Sequence, residues 1–359
     1  MTVALRPLLD PQVRSVAIVR LRTGLGDLLA SVPALRAVRA TRPDLHVTMI
    51  GFPEVAEAVR RQGAYVDDYL TFPGHADIPE RPAPSAAAWA DFLAEARGRR
   101  FDLAVQMYGA LPAANAVTAE LGAGVAGGFV TPGTWPARLD THLPYPFRAH
   151  EIDRHLRLVT FLGATPGSRD LEFPLGPADA TELEAALVDR GAGDVLGRPF
   201  AVVHPGATAH SRRWPVERFA AVADGLTERG LAVVFTGVNS ERKRVAEVAA
   251  AMRAAAVDVS GATGLGGVAA LVDRAAVVVS GDTGIVQVAV ARRTPTVTAY
   301  LAGDARRWRG ADRVRHRVAA VDVGCNPCGL LTCPIDFRCA TRLSPQRVLA
   351  EVDAVLAHG

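Results

Sequence analysis

The sequence predicts an α/β protein built from two doubly wound parallel sheets, and three observations carry that expectation. Short, largely apolar runs at residues 15–21, 199–204 and 275–279 read as strands, and the last, β-branched and without polar alternation, as one buried on both faces. Segments with helical spacing of apolar residues lie between such runs, the pattern of βαβ units. The alternation begins afresh after the linker Phe173-Pro174-Leu175-Gly176-Pro177, so the 359 residues divide into two domains of ordinary size.

In the first half, the strand over 15–21 runs into the glycine turn Arg22-Thr23-Gly24-Leu25-Gly26-Asp27 and a helix over 28–41. A strand over 46–51 precedes a helix over 53–62, where Pro53 occupies a first-turn position whose missing N–H costs nothing. A strand over 66–72, a surface loop over 73–85, a helix over 85–97, a strand over 101–107 and a helix over 113–121 follow. Residues 122–147 read as irregular; Trp135, Tyr145 and Phe147 there either line a binding surface or pack beneath a long loop. A helix over 150–162 ends this half. The second half predicts helices over 180–190, 216–229, 240–254 and 265–273, with strands over 199–204, 232–236 and 257–260. A strand, tight turn and helix then span 274–297. The last helix, 344–357, has Ser344 as its cap and Pro345 at its first position. The two halves are expected to leave a ligand cleft between them.

Composition narrows the function. Hydrophobic residues make up 49% and charged residues 21%, as in soluble globular proteins. No apolar run approaches the roughly 20 residues that span a bilayer. Early prolines and charges are unlike a signal peptide, which gives a cytoplasmic expectation. Lys243 is the single lysine, so 39 of the 40 basic residues are arginine. A net charge of +3, with no basic run interleaved with aromatics, gives no ground for a nucleic-acid partner. The four cysteines fall in one motif, Cys325-x2-Cys328-x4-Cys333-x5-Cys339. Reduced structural thiols lead the readings, because zinc ligand pairs stand farther apart and a reducing compartment disfavours disulfides. Structural zinc, disulfides or an iron–sulfur site are the alternatives.

Four strand-end turns could carry chemistry. In the first, glycines allow close backbone approach and Asp27 stands at a helix start, either as a cap or as a general base toward an acceptor hydroxyl. In the second, His204-Pro205-Gly206-Ala207-Thr208, Arg212 or Arg213 offers a fork for phosphate oxygens. The third, Thr236 to Glu241, presents Glu241 to ribose hydroxyls, or else Asn239 or Ser240 as a cap. The fourth, Ser280-Gly281-Asp282-Thr283-Gly284, opens a helix whose N-terminal amides and dipole suit an anion. Asp282 cannot be there for phosphate and suits hydroxyls, so the ligand that fits is a nucleotide sugar. A third glycine of the dinucleotide fingerprint, a Walker loop, a Ser-His-Asp triad and a paired-carboxylate site are all missing.

Taken together, LRTGLGDLLASVPALRAVRATRPD, HPGATAHSRRWPVERFAAVADGL, GATGLGGVAALVDRAAVVVSGDTGIVQVAVARRTPTV and CNPCGLLTCP resemble glycosyltransferase family 9, the ADP-heptose:lipopolysaccharide heptosyltransferases. The resemblance implies a GT-B fold: a Rossmann-like acceptor domain over 1–172, a nucleotide-sugar domain over 173–343, and a helix over 344–359 crossing back. It implies inverting, metal-independent transfer with no required cofactor. By position, Asp27 falls on the catalytic base, with Thr23, Gly24 and Gly26 in the acceptor-side turn. Arg212 falls on a phosphate-binding lysine, Asp282 on the aspartate that holds donor hydroxyls, and Thr283 and Gly284 beside the pyrophosphate. Thr208 belongs to the donor turn, and Glu241 loosely matches a ribose-binding glutamate. Gln287 replaces the usual histidine; it can donate a hydrogen bond but cannot become cationic. Arginine for lysine at 212 keeps charge and changes geometry. The expected donor is an ADP-sugar, with heptose the leading sugar. The expected acceptor is a lipopolysaccharide core or a secondary-metabolite sugar. A nucleotide-sugar epimerase or hydrolase, or a catalytically weak binding partner, are the rival readings.

Overall fold

The computed structural model describes residues 5–134 and 140–358. The chain forms two compact units, Met1–Leu171 and Glu172–Gly359. The first contains six parallel strands: β1 (Ser15–Val19), β2 (His46–Gly51), β3 (Asp68–Thr71), β4 (Leu103–Gln106), β5 (Val125–Val130) and β6 (His142–Pro144). The second repeats the pattern with β7 (Phe200–His204), β8 (Ala232–Phe235), β9 (Val257–Asp258), β10 (Val277–Gly281), β11 (Thr296–Ala299) and β12 (His316–Ala319).

The spatial orders are β3-β2-β1-β4-β5-β6 and β9-β8-β7-β10-β11-β12. Numbered within its own unit, each sheet is therefore 3-2-1-4-5-6, the doubly wound dinucleotide-fold order. The direction of winding reverses between β1 and β4 in one unit and between β7 and β10 in the other. Such reversals open a crevice beyond the carboxyl ends of the strands, where ligands sit in folds of this kind.

The predicted apolar runs are buried strands. Val16, Ala17, Ile18 and Val19 are at most 1% exposed, as are Val277, Val278 and Val279. In the second unit, Trp214 is fully buried, packs edge-on to Phe219, and donates its indole N–H to the Ala340 carbonyl at 3.2 Å.

Several elements depart from expectation for identifiable reasons. The helix expected over 28–41 is two helices, Leu25–Leu29 and Val32–Thr41. Pro33 lacks the N–H that a continuous helix would need, and the Ser31 hydroxyl turns back onto the Leu28 carbonyl at 2.6 Å. The stretch expected to be irregular contains β5 and β6. β5 carries Gly127 and Gly128, poor strand formers that the packing requires: a Cβ on Gly128 would lie 2.7 Å from Gln106 Cβ, and one on Gly127 would lie 2.8 Å from the Thr141 carbonyl oxygen. Strands β11 and β12 also went unforeseen, their short runs being masked by threonine, histidine and arginine. The helix Pro345–Leu356, for which the resemblance implies a return to the first unit, packs against helix Val216–Glu228, β11 and β12 of the second. No helix among the described residues is long and apolar enough to cross a membrane.

Candidate active site

At the carboxyl end of β1 the chain turns through Arg20 to Gly24 into helix Leu25–Leu29, and Asp27 lies in its first turn. Gly24, not Asp27, is the capping residue. The Asp27 carboxylate takes a hydrogen bond from Arg20 Nη2 to Oδ1 at 3.3 Å, while the same nitrogen donates to the Asp27 carbonyl at 2.8 Å. Arg20 is 1% exposed and also holds the Met107 carbonyl, at the end of β4, at 3.0 Å. A single buried guanidinium thus links both sides of the switch point, while the Asp27 side chain stays 27% exposed. Thr23, Gly24 and Gly26 are half-buried beside it.

Behind Arg20 stands helix Glu151–Phe161. Glu151 Oε1 is 3.9 Å from Arg20 Nη2, and its Oε2 accepts from Arg154 Nη1 at 2.6 Å. His155 lies 3.5 Å from the same carboxylate, and burial lowers its pKa, keeping it neutral. Sequence reasoning missed this cluster. Its signals were a lone charge ending an apolar strand and the i, i+3, i+4 spacing of Glu151, Arg154 and His155 on one helix face.

On the far side of the turn, Arg22 is paired with Glu80 at 2.7 Å and lies 3.9 Å above the Tyr108 ring. Tyr145 packs edge-on to Phe129, and its hydroxyl accepts from Arg154 at 2.9 Å; Phe147 is largely exposed. Trp135, expected beside them, lies outside the described residues.

In the second unit two groups form at the β7/β10 switch point. Asp282, 8% exposed, directly follows β10; its Oδ2 is 3.6 Å from Arg212 Nη1. Thr283 stands at the N-cap position of helix Gly284–Arg292 without a side-chain hydrogen bond to its amides, and its hydroxyl is 3.1 Å from that of Ser280. Tyr300, which sequence reasoning did not single out, is buried here; burial first, and then the charge of Asp282, pushes its phenol well above the ordinary value. Arg213, the other candidate fork, instead braces the turn, donating to the Ala207 carbonyl at 2.8 Å and the Thr208 carbonyl at 3.4 Å; Thr208 is exposed.

The second group is Glu241, whose Oε2 accepts from Val238 N–H at 3.0 Å and lies 3.6 Å from His204 Nε2. Neither Asn239 nor Ser240 caps here; Glu241 reaches back to do so. Lys243 follows, exposed, in helix Arg242–Ala250. Gln287 joins neither group: it is 6% exposed and its amide donates to the Trp308 carbonyl at 2.8 Å.

The three candidate carboxylates share one device, for each fills space that a side chain opposite would need. A Cβ on Gly24 would fall 2.5 Å from Asp27 Oδ2, one on Gly206 would fall 2.0 Å from Glu241 Oε1, and one on Gly303 would fall 2.0 Å from Asp282 Oδ2. Elsewhere, Cys325 and Cys328 are exposed, Cys333 is half-buried and Cys339 is buried, all as free thiols. Among the described residues, no three His, Cys, Asp or Glu side chains are grouped to hold a metal ion.

Comparison with known proteins follows the same outline. The family model of glycosyltransferase family 9 (heptosyltransferase) matches residues 89–336. The chain belongs to that family. This family 9 glycosyltransferase matches no curated protein sequence closely enough to count as a relative. Solved structures share its fold at low identity. A family 9 glycosyl transferase from Veillonella parvula is 18% identical, with a TM-score of 0.79 over 98% of this chain and 99% of that one. The E. coli ADP-heptose lps heptosyltransferase II is 17% identical, with a TM-score of 0.73 over 96% and 99%. E. coli heptosyltransferase WaaC with ADP is 18% identical, with a TM-score of 0.62 over 96% and 99%. The fold is thus GT-B, two Rossmann-like units, and the family 9 chain is an enzyme of the glycosyltransferase class.

Proposed function

We propose that this glycosyltransferase moves a sugar, heptose in the leading case, from an ADP-sugar to a hydroxyl of a saccharide acceptor with inversion at the anomeric carbon. One observation carries the reading: an accessible carboxylate, Asp27, is anchored at a switch point by a buried guanidinium rather than spent as a helix cap. A carboxylate so held is oriented to take a proton from an attacking hydroxyl. In the second unit, Arg212 and the amides opening helix Gly284–Arg292 would take the diphosphate and the negative charge that grows on it as the glycosidic bond breaks. Asp282 would accept from hydroxyls of the donor sugar, and Glu241 from those of the ribose. Names among the structural relatives, one bound to ADP and another using ADP-heptose, support the choice of nucleotide. Transfer by this route asks for no cofactor.

The first test is a thermal-shift comparison of ADP, UDP, GDP and dTDP at matched, saturating concentration. A nucleotide at 100 times its Kd stabilises by about 2.7 kcal/mol, and selective stabilisation by ADP is expected. Selective stabilisation by another nucleotide would overturn the donor, and none by any would favour a protein that has lost donor binding. Asp27→Asn should keep ADP affinity and lose turnover by a factor of roughly 100 or more. Extraction of the product into a lipid phase would mark a lipopolysaccharide acceptor, and a water-soluble product a secondary-metabolite sugar.

A further inference from the structure

Strands β10 and β11 run parallel, with Ser280 beside Thr298 and Gly281 beside Ala299. The residues that follow, Asp282 and Tyr300, therefore leave the sheet side by side at its carboxyl edge. Tyr300 is fixed there by its backbone, whose N–H donates to the Ala319 carbonyl at 3.0 Å and so extends the ladder toward β12. The Tyr300 side chain is 2% exposed, and its hydroxyl has no hydrogen-bond partner among the described residues.

A buried hydroxyl without a partner destabilises a fold, since it has left water and found nothing to replace it. A phenylalanine would fill the same space without that penalty. We infer that Tyr300 is a further donor-binding residue, whose hydroxyl donates to a phosphate oxygen of the nucleotide sugar beside Arg212 and the amides that open helix Gly284–Arg292. The inference rests on the reading of Arg212 and Asp282 as part of the donor site.

The surroundings suit a phosphate as the partner. The charged groups acting on the phenol are Asp282 foremost, then Arg212, Arg309 and Asp304. Burial and the charge of Asp282 keep the phenol protonated, so it can donate. Helix Gly284–Arg292 opens without a side-chain hydrogen bond to its amides, which leaves them as donors toward a ligand. Arg212 adds a guanidinium fork. Amides, guanidinium and phenol all donate, and a diphosphate, whose oxygens accept, satisfies the three together. Hydroxyls of the donor sugar are met by the Asp282 carboxylate instead. The way to the phenol is past Arg212, whose side chain is 39% exposed and whose Nη1 stands 3.6 Å from Asp282 Oδ2, wider than a hydrogen bond. So loosely held an arm is readily drawn outward onto a diphosphate.

Tyr300→Phe deletes the hydroxyl and keeps the ring, so the test needs no acceptor. Native protein and variant are titrated with ADP by calorimetry, and both are melted without nucleotide. The affinity for ADP is expected to fall about tenfold or more, the size of a hydrogen bond to a charged group. The melting temperature without nucleotide is expected to hold or rise, because the deleted group was unpaired. A role in the fold alone would do the reverse, lowering the melting temperature and sparing ADP. An unchanged Kd for ADP overturns the inference, even where ADP-heptose binds less well, since the phenol would then meet the sugar. A lower melting temperature overturns it too, for the hydroxyl would have its partner within the fold. Native protein that binds no nucleoside diphosphate overturns the donor reading, and this inference with it.

Discussion

At the scale of single residues, glycines mark the site as clearly as the acids they face. Gly206→Ala would place a methyl on the Glu241 carboxylate, and Glu241 is long enough to swing aside, so the fold should survive. What is lost is a hydrogen-bond acceptor for the ribose. ADP affinity, measured by calorimetry, is expected to fall about tenfold, the size of one hydrogen bond to a charged group, with little change in melting temperature. Arg212→Lys tests the departure from the family's usual residue. The ammonium cannot reproduce a two-pronged contact with diphosphate oxygens, yet it keeps the charge, so a several-fold loss of kcat/KM is expected, against a larger loss in Arg212→Ala. Asp282, Thr283 and Gly284 were legible because they share one short strand-turn-helix. Arg20 and Glu151 were not, because their partnership is made by the sheet bringing distant parts of the chain together. The partner of Gln287 was not legible either: its amide donates to the Trp308 carbonyl, 21 residues along the chain.

At the scale of elements, most of the strands that sequence could find are apolar runs rich in valine, such as β1, β7, β8 and β10. β5 could not be found that way, since its two glycines read as a turn. The close approach that demands them also predicts their intolerance: in Gly128→Ala the added methyl meets Gln106 Cβ at 2.7 Å and the Gln106 carbonyl oxygen at 3.0 Å, atoms with little freedom to retreat. A loss of about 1–3 kcal/mol is expected from urea unfolding. Gln106 is itself fully buried and holds the turn after β4, its Oε1 accepting from Tyr108 N–H at 2.8 Å and its Nε2 donating to the Gly109 carbonyl at 2.9 Å. The strain should therefore reach the Met107 carbonyl that Arg20 grips.

At the scale of the molecule, the repeated alternation of strands and helices made two doubly wound units legible, and the common 3-2-1-4-5-6 order emerged only with the strands in place. Buried histidines in both units tie stability to pH. Burial depresses His316 to about 4, and lowers His155 and His204 as well. As pH falls below the unfolded value of about 6.5, the unfolded chain takes up protons that the folded one refuses. Stability is therefore whole above that pH and lost progressively down to about 4, on the order of 3 kcal/mol for His316 alone. Chemical denaturation at stepped pH would register the loss, and a flat profile over that interval would contradict it. The arginine-for-lysine bias has a practical counterpart. Lys243 is exposed two residues from Glu241. An amine-reactive fluorophore would thus attach, apart from the terminal amine, at one address beside the proposed ribose contact, reporting nucleotide arrival as a change in emission without any engineered cysteine.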